Sequence, residues 1–261
     1  MKIGEKLYKF KGKLLFLSSI YQWAFCQSDD RSIQIWNWET GKSIFILYGH
    51  KKEISDLIMS PDGTKMFSAS RDRIIKVWDS KTGREIWTLS NHKGVVSGLA
   101  VTSDSKKLVS ASEDKSIKIW CLKTGTELLT LSGHKQAIIA VAINTLSKEI
   151  ISFSTDDNLK IWDLTRGLEL MSYHGFLKSS NMQQISGQKI LDECRKNKYI
   201  ILNKTRKDKD TIQIIDLLSR KVIGDFTADS SIFCSTVGFK EEIIVAGDEK
   251  GKLHFLKIKN N

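Results

Sequence analysis

The run Ser68-Ala69-Ser70-Arg71-Asp72-Arg73-Ile74-Ile75-Lys76-Val77-Trp78-Asp79 decides how this chain is built, because it comes twice more. Residues 110–121 read SASEDKSIKIWC and residues 152–163 read SFSTDDNLKIWD. Counting Trp36, four tryptophans (Trp36, Trp78, Trp120 and Trp162) stand 42 residues apart. A period in this range marks one supersecondary unit repeated along the chain. Ile75-Lys76-Val77-Trp78 and Ile117-Lys118-Ile119-Trp120 alternate apolar residues with lysine, as half-buried strands do. A tight polar turn precedes each, and before it a second strand is predicted at Lys65–Ser70, Lys107–Ser112 and Glu149–Ser154. Further upstream lie the apolar stretches Ile54–Met59, Val96–Val101 and Ile138–Ile143. Downstream, Thr82-Gly83 and Thr124-Gly125 open a fourth strand at Glu85–Leu89 and Glu127–Leu131. Each unit is thus four short strands with no helical period. A lone four-stranded sheet cannot bury both faces, and radial stacking of such sheets solves that problem.

A polar set recurs with the same period. His50, Ser68, Asp72 and Trp78 form the first, His92, Ser110, Asp114 and Trp120 the second, and His134, Ser152, Asp156 and Trp162 the third. Donors and acceptors alternate along it: indole N–H to hydroxyl, hydroxyl to imidazole, imidazole to carboxylate. Buried polar groups must be paired, and a satisfied network rigidifies the sheet that holds it. A Ser-His-Asp catalytic triad is the competing reading. It needs an exposed nucleophile, and the chain has no Gly-x-Ser-x-Gly elbow. A set that occurs three times, each with a tryptophan over it, reads as architecture. With Gly49-His50, Gly133-His134, Trp78-Asp79 and Trp162-Asp163, the sequence resembles the WD-repeat family of β-propellers. The resemblance implies an all-β propeller of four-stranded antiparallel blades in which these twelve residues are a structural network.

The other units depart from the pattern. Around Trp36, Asp30 occupies the turn, but Cys26 stands at the serine position and Lys13 at the histidine position. Residues 167–226 hold one degenerate unit, with strands near Lys198–Asn203 and Thr211–Ile215, Ile215 at the tryptophan position and an inserted turn at Lys204–Asp210. Residues 227–261 offer Ser231–Phe239, Glu242–Ala246 and Lys252–Ile258, and no fourth strand. Gly4–Phe10 aligns with Gly83–Leu89, so residues 2–10 are expected to supply that strand by pairing the two chain ends, which removes an open edge. Six repeats of 42 need 252 of the 261 residues, and seven would need 294. One domain of six blades is expected, at approximately 11–49, 50–91, 92–133, 134–174, 175–226 and 227–261 plus 2–10. Seven blades, or an open ring, is the alternative.

Cys26, Cys121, Cys194 and Cys234 show no Cys-x-x-Cys spacing, so neither a disulfide framework nor a zinc site is expected and a reducing cytoplasmic or nuclear setting fits. The uncharged run Leu14–Cys26 superficially resembles a secretory signal, but it contains Ser18, Ser19, Tyr21, Gln22 and Trp23 and falls in strand register. No stretch approaches the ~20 apolar residues of a membrane span. Net charge is +11. Lys2, Lys6, Lys9, Lys250, Lys252, Lys257 and Lys259 would gather on the closing blade if the ends pair, giving a candidate basic patch for nucleic acid. The plainer reading is lysine protecting an edge. Neither a complete P-loop, a His-Glu-x-x-His, an EF-hand nor a dinucleotide fingerprint occurs, so no cofactor, metal or small-molecule substrate is expected.

The WD-repeat resemblance implies a non-enzymatic platform for protein or peptide partners, a subunit or adaptor of a larger complex. By resemblance, its contact positions are Glu53, Ser55 and Arg71; Val95, Ser97 and Glu113; Ala137, Ile139 and Thr155; and Asp29 in the first repeat. An RNA- or ribosome-associated propeller using the basic patch is one alternative. A sensor propeller detached from a nucleotide-binding switch ATPase is another, suggested by Ala246–Leu256. A ubiquitin-ligase adaptor, suggested by Trp78-Asp79-Ser80-Lys81, is the last.

Overall fold

The computed structural model describes residues 13–18, 21–144, 148–156, 158–174, 199–206, 209–216, 221–227, 232–237, 243–248 and 253–257. The described residues form an all-β structure without helices. Four sheets have four antiparallel strands each, paired in chain order. They are β1–β4 (Lys13–Ser18, Trp23–Gln27, Ile33–Asn37, Ser43–Leu47) and β5–β8 (Ile54–Met59, Lys65–Ser70, Ile75–Asp79, Glu85–Leu89). Next come β9–β12 (Val96–Val101, Lys107–Ser112, Ser116–Cys121, Thr126–Ser132) and β13–β16 (Ile138–Asn144, Glu149–Ser154, Asn158–Asp163, Glu169–His174). Two sheets of three described strands follow: β17–β19 (Tyr199–Arg206, Lys209–Asp216, Val222–Thr227) and β20–β22 (Ile232–Val237, Ile243–Asp248, Leu253–Lys257).

These strands begin and end within a few residues of where alternation put them. The expected long turn at Lys204–Asp210 is a correction. Lys204 pairs with Thr211, Thr205 with Asp210 and Arg206 with Lys209, so the inserted residues lengthen the β17–β18 ladder. Backbone groups left in a long loop would need other partners, and the ladder supplies them. The expected strand at residues 2–10 lies outside the described residues, as do Lys2, Lys6, Lys9, Lys250, Lys252 and Lys259. Lys257 ends β22.

The chain divides into two compact units, Met1–Thr130 and Leu131–Asn261, with the division inside β12. In the first unit, inner faces of successive sheets pack on each other. Phe25, Ile33 and Ile35 meet Leu57, Met66 and Trp78, while Phe67, Ile75 and Val77 meet Leu99, Leu108 and Trp120. Each indole therefore packs against the sheet before its own, and full burial of such a side chain contributes about 1.5–3 kcal/mol or more. Polar groups also tie neighbouring sheets. Ile54 N donates to Gln27 Oε1 (2.9 Å), Leu99 N to Asp56 Oδ2 (2.7 Å), and Ser55 Oγ to the Val96 carbonyl. In the second unit, Ala140, Ala142, Ile151, Phe153, Leu159 and Ile161 form the core of the β13–β16 sheet.

The turns explain two sequence signatures. Asp79 Oδ1 closes the β7–β8 turn by accepting from Lys81 N (3.1 Å), Thr82 N (2.8 Å) and Thr82 Oγ1 (2.8 Å). Gly83 follows at φ 67°, and a Cβ there would lie 2.8 Å from the Phe45 ring of the preceding sheet, so only glycine fits.

Candidate functional site

Ser68 on β6 lies opposite Lys76 on β7, and Trp78 lies two residues further on the same face. Ser68 Oγ accepts the Trp78 indole N–H at 2.9 Å and donates to His50 Nε2 at 2.8 Å, and His50 Nδ1–H donates to Asp72 Oδ2 at 3.0 Å. That sequence of donors assigns the imidazole as the neutral Nδ1–H tautomer. Asp72 also accepts from Lys51 N at 2.8 Å and Ile74 N at 3.0 Å, so one carboxylate holds both the β6–β7 turn and the link into β5. The next sheet repeats the chain. Trp120 to Ser110, Ser110 to His92, and His92 to Asp114 are each 2.8 Å. In the second unit Trp162–Ser152 is 2.8 Å and Ser152–His134 is 2.7 Å. There the last link differs. His134 Nδ1 stands 3.8 Å from Asp156 Oδ1, beyond hydrogen-bond range, while Asp156 still accepts from Lys135 N (2.9 Å) and Asn158 N (3.2 Å). All three serines are fully buried, each beneath an indole, so none presents a hydroxyl to solvent.

Sequence reasoning missed a second buried set. Lys76 Nζ reaches Glu85 Oε2 at 2.6 Å and Thr88 Oγ1 at 3.1 Å, with its ammonium 5.7 Å from the Trp78 ring centre. Lys118 reaches both oxygens of Glu127 (2.9 and 3.0 Å) and Thr130 (2.7 Å), and Lys160 reaches Glu169 at 2.6 Å. The signal was a lysine two residues before each tryptophan and a glutamate nine residues after the lysine. It also accounts for the Gly-His pair. A Cβ on Gly49 would stand 2.9 Å from Lys76 Cε. Where the third repeat carries Asn91 instead, its side chain donates to Glu127 at 2.8 Å. The first repeat has Cys26, Gln34 and Ser43 at the serine, lysine and glutamate positions, side chains that cannot reproduce either set. Asp30 instead serves its own turn, accepting from Ser32 N at 3.0 Å and Ser32 Oγ at 2.6 Å.

Burial pushes the His134 imidazole down to about 4, against the charge of Asp156, and pushes His50 down despite its bond to Asp72. Burial alone would raise the Asp72, Asp114 and Asp156 carboxyls, but hydrogen bonds from backbone amides, joined at Asp72 and Asp114 by the histidine N–H, outweigh it and leave all three below 3.8. An unfolded His134 takes up its proton near 6.5, so between about 6.5 and 4 the unfolded chain binds more protons than the native one. That stability is fully present above 6.5 and is lost as pH falls to about 4, after which protonation of the aspartates, below their unfolded value of 3.8, removes more. Protonation also leaves the serine hydroxyl facing a second N–H donor. Urea midpoints measured from about pH 7 down to about pH 4 should fall steadily, and a midpoint constant over that range would contradict this account.

Within each repeat the expected contact positions lie together, at the entry to the first strand and the turn after the second. Arg71 N donates to the Glu53 carbonyl, Glu113 N to Val95 and Thr155 N to Ala137, each at 2.9 Å, so the turn position and the strand-entry position are neighbours in each repeat. Ser55, Ser97 and Ile139 are bulge residues. Ile54 pairs with Ser70 and Asp56 with Ala69, which leaves Ser55 unopposed, and the other two sheets do the same. A bulge re-aims the side chain it carries. Glu53, Ser55, Arg71, Glu113, Thr155 and Asp29 are exposed, while Val95, Ser97, Ala137 and Ile139 are half-buried. Two of these have structural work as well: Ser55 bonds Val96, and Ser97 Oγ donates to the Ala111 carbonyl at 3.2 Å. Among the described residues there is no group of three or more metal-ligating side chains, and Cys26 and Cys121 are free. No described helix is long and apolar enough to cross a membrane.

The family model described as WD domain, G-beta repeat matches residues 41–79, 83–121 and 125–163. Those spans cover the three repeats that carry the hydrogen-bonded sets. No curated protein matches the chain.

Proposed function

We propose, from the three WD repeats matched within residues 41–163, that this chain is a non-enzymatic WD-repeat scaffold for protein or peptide partners, a subunit or adaptor of a larger assembly. The observation that carries this reading is the separation within each intact repeat. Its Ser-His-Asp chemistry is sealed under an indole, while the strand-entry, bulge and turn positions stand at the surface on a rigid frame. We further propose a single propeller of six blades, with residues 2–10 completing the last. The support is a C-terminal sheet of three described strands where the matched repeats have four, and the alignment of Gly4–Phe10 with Gly83–Leu89. Free thiols fit a cytoplasmic or nuclear setting.

Affinity purification with mass spectrometry at low and high salt tests the function. Wild type should return reproducible protein partners, and the charge-reversal variant Glu53→Arg/Arg71→Glu/Glu113→Arg should lose at least one of them while staying folded. These side chains are exposed and enter no side-chain ion pair among the described residues, so reversal should change stability by only about 0.5 kcal/mol or less. No reproducible protein partner, or an unchanged set, would count against the scaffold. Salt-dependent recovery of RNA in place of protein would favour the basic-patch alternative.

A further inference from the structure

The opposite end of the first two sheets, where β1 turns into β2 and β5 into β6, carries a groove of about 400 Å³. That is within the size range of sites that take a ligand or a side chain. Tyr21, Trp23 and Phe45 line it, with Asp62 and Lys81 among its polar groups. Tyr21 and Trp23 are not needed to build a repeat of this kind, because the same positions hold Gly63 and Lys65 in the second repeat and Ser105 and Lys107 in the third. The aromatic rings are nonetheless set in place. Tyr21 and Trp23 lie 5.4 Å apart, Trp23 meets Phe45 edge-on at 6.4 Å, and the Tyr21 hydroxyl lies against Gly63, where any Cβ would be 1.6 Å from it.

Asp62 gives the groove its sign. Its Oδ1 accepts from Ser60 Oγ (2.6 Å), Thr64 N (3.0 Å) and Thr64 Oγ1 (2.9 Å), whereas Oδ2 accepts no hydrogen bond among the described residues. Burial opposes ionisation, but those bonds outweigh it and hold the carboxyl at about 2, so it is charged at neutral pH. Two lysines are near: Lys65 acts on Asp62 only weakly, and Lys81 acts on Asp79 in its own turn. A fixed carboxylate beside the exposed Tyr21 ring and the half-buried Trp23 ring favours a flat, weakly hydrated cation that can stack and donate in the same plane, which describes guanidinium better than ammonium.

We propose that this groove receives an arginine side chain of a partner polypeptide, stacked on Tyr21 and Trp23 and donating to Asp62 Oδ2. The groove lies at the other end of the sheets from the contact positions discussed above, so failure here would leave that surface untouched.

The test titrates the full chain with the peptide acetyl-Gly-Arg-Gly-amide and with its glutamine counterpart, following the Trp23 indole and Tyr21 ring resonances by NMR. Saturable shifts of both signals are expected, with the arginine peptide binding at least about fivefold tighter, the value of a ~1 kcal/mol stacked cation. Asp62→Asn keeps the turn's acceptor oxygen and should abolish that preference, while Tyr21→Ala should weaken the arginine peptide. Equal binding of the two peptides, a preference that survives Asp62→Asn, or shifts confined to other tryptophans would overturn the proposal. The wild-type comparison of the two peptides decides the matter even if a variant misfolds.

Discussion

Trp120→Ala should lose about 3–5 kcal/mol of stability, the largest effect expected of any single change in the first unit. The indole fills the space between the second and third sheets against Phe67, Val77 and Leu108, none of which can collapse into the void without dragging a strand with it. Truncation also removes the donor to Ser110 Oγ, which is fully buried and must then satisfy its acceptor capacity elsewhere. Trp120→Phe separates the two contributions, since it keeps most of the volume and gives up the N–H; it should lose roughly 1–2 kcal/mol. Urea unfolding of the full chain measures both. A Trp120→Ala variant within about 1 kcal/mol of wild type would mean that the indole is not the wedge described above.

The second large effect concerns the lysine set and is asymmetric. Glu127→Ala strands the Lys118 ammonium, whose side chain is only 11% exposed, and should lose about 3 kcal/mol or more. Lys118→Met should lose less. Glu127 is 22% exposed and keeps Asn91 and Thr130 as donors, so its charge is not abandoned. Combining Lys118→Met with Glu127→Leu should recover most of the Glu127→Ala loss, because a buried pair replaced by apolar groups of similar volume is close to neutral. If Glu127→Ala and Lys118→Met lose the same amount, the asymmetry argument fails. If neither loses more than about 0.5 kcal/mol, the pair behaves like a surface ion pair and its burial has been misjudged.

The strands were legible because each has one buried face, and burial with a pleat of two writes itself into the sequence as alternation. The Trp–Ser–His–Asp sets were legible because repetition separates a spacing from chance. Two things were not. Lys76, Lys118 and Lys160 sit at alternating positions where lysine ordinarily means solvent, and only their distant glutamates and the indoles beside them reveal burial. At Lys204–Asp210, a run of alternating charge looked like a turn, yet Thr205 pairs with Asp210 and Arg206 with Lys209. Backbone pairing uses only N–H and C=O groups, so charged side chains do not forbid it. The expected contact positions rest on resemblance, and what sets three of them apart is a bulge, which leaves no composition signal: two serines and an isoleucine share that place.

That last feature has a consequence for change. The residue left unopposed in the first strand has no residue paired directly across from it, so its identity is only loosely tied to the register on either side. A repeat made this way can change one position per module, at Ile139 for example, while the indoles and carboxylates that define the module stay as they are. Ser55, tied to the neighbouring sheet through Val96, and Ser97, tied to the next strand through Ala111, are the two of the three where novelty would cost a bond.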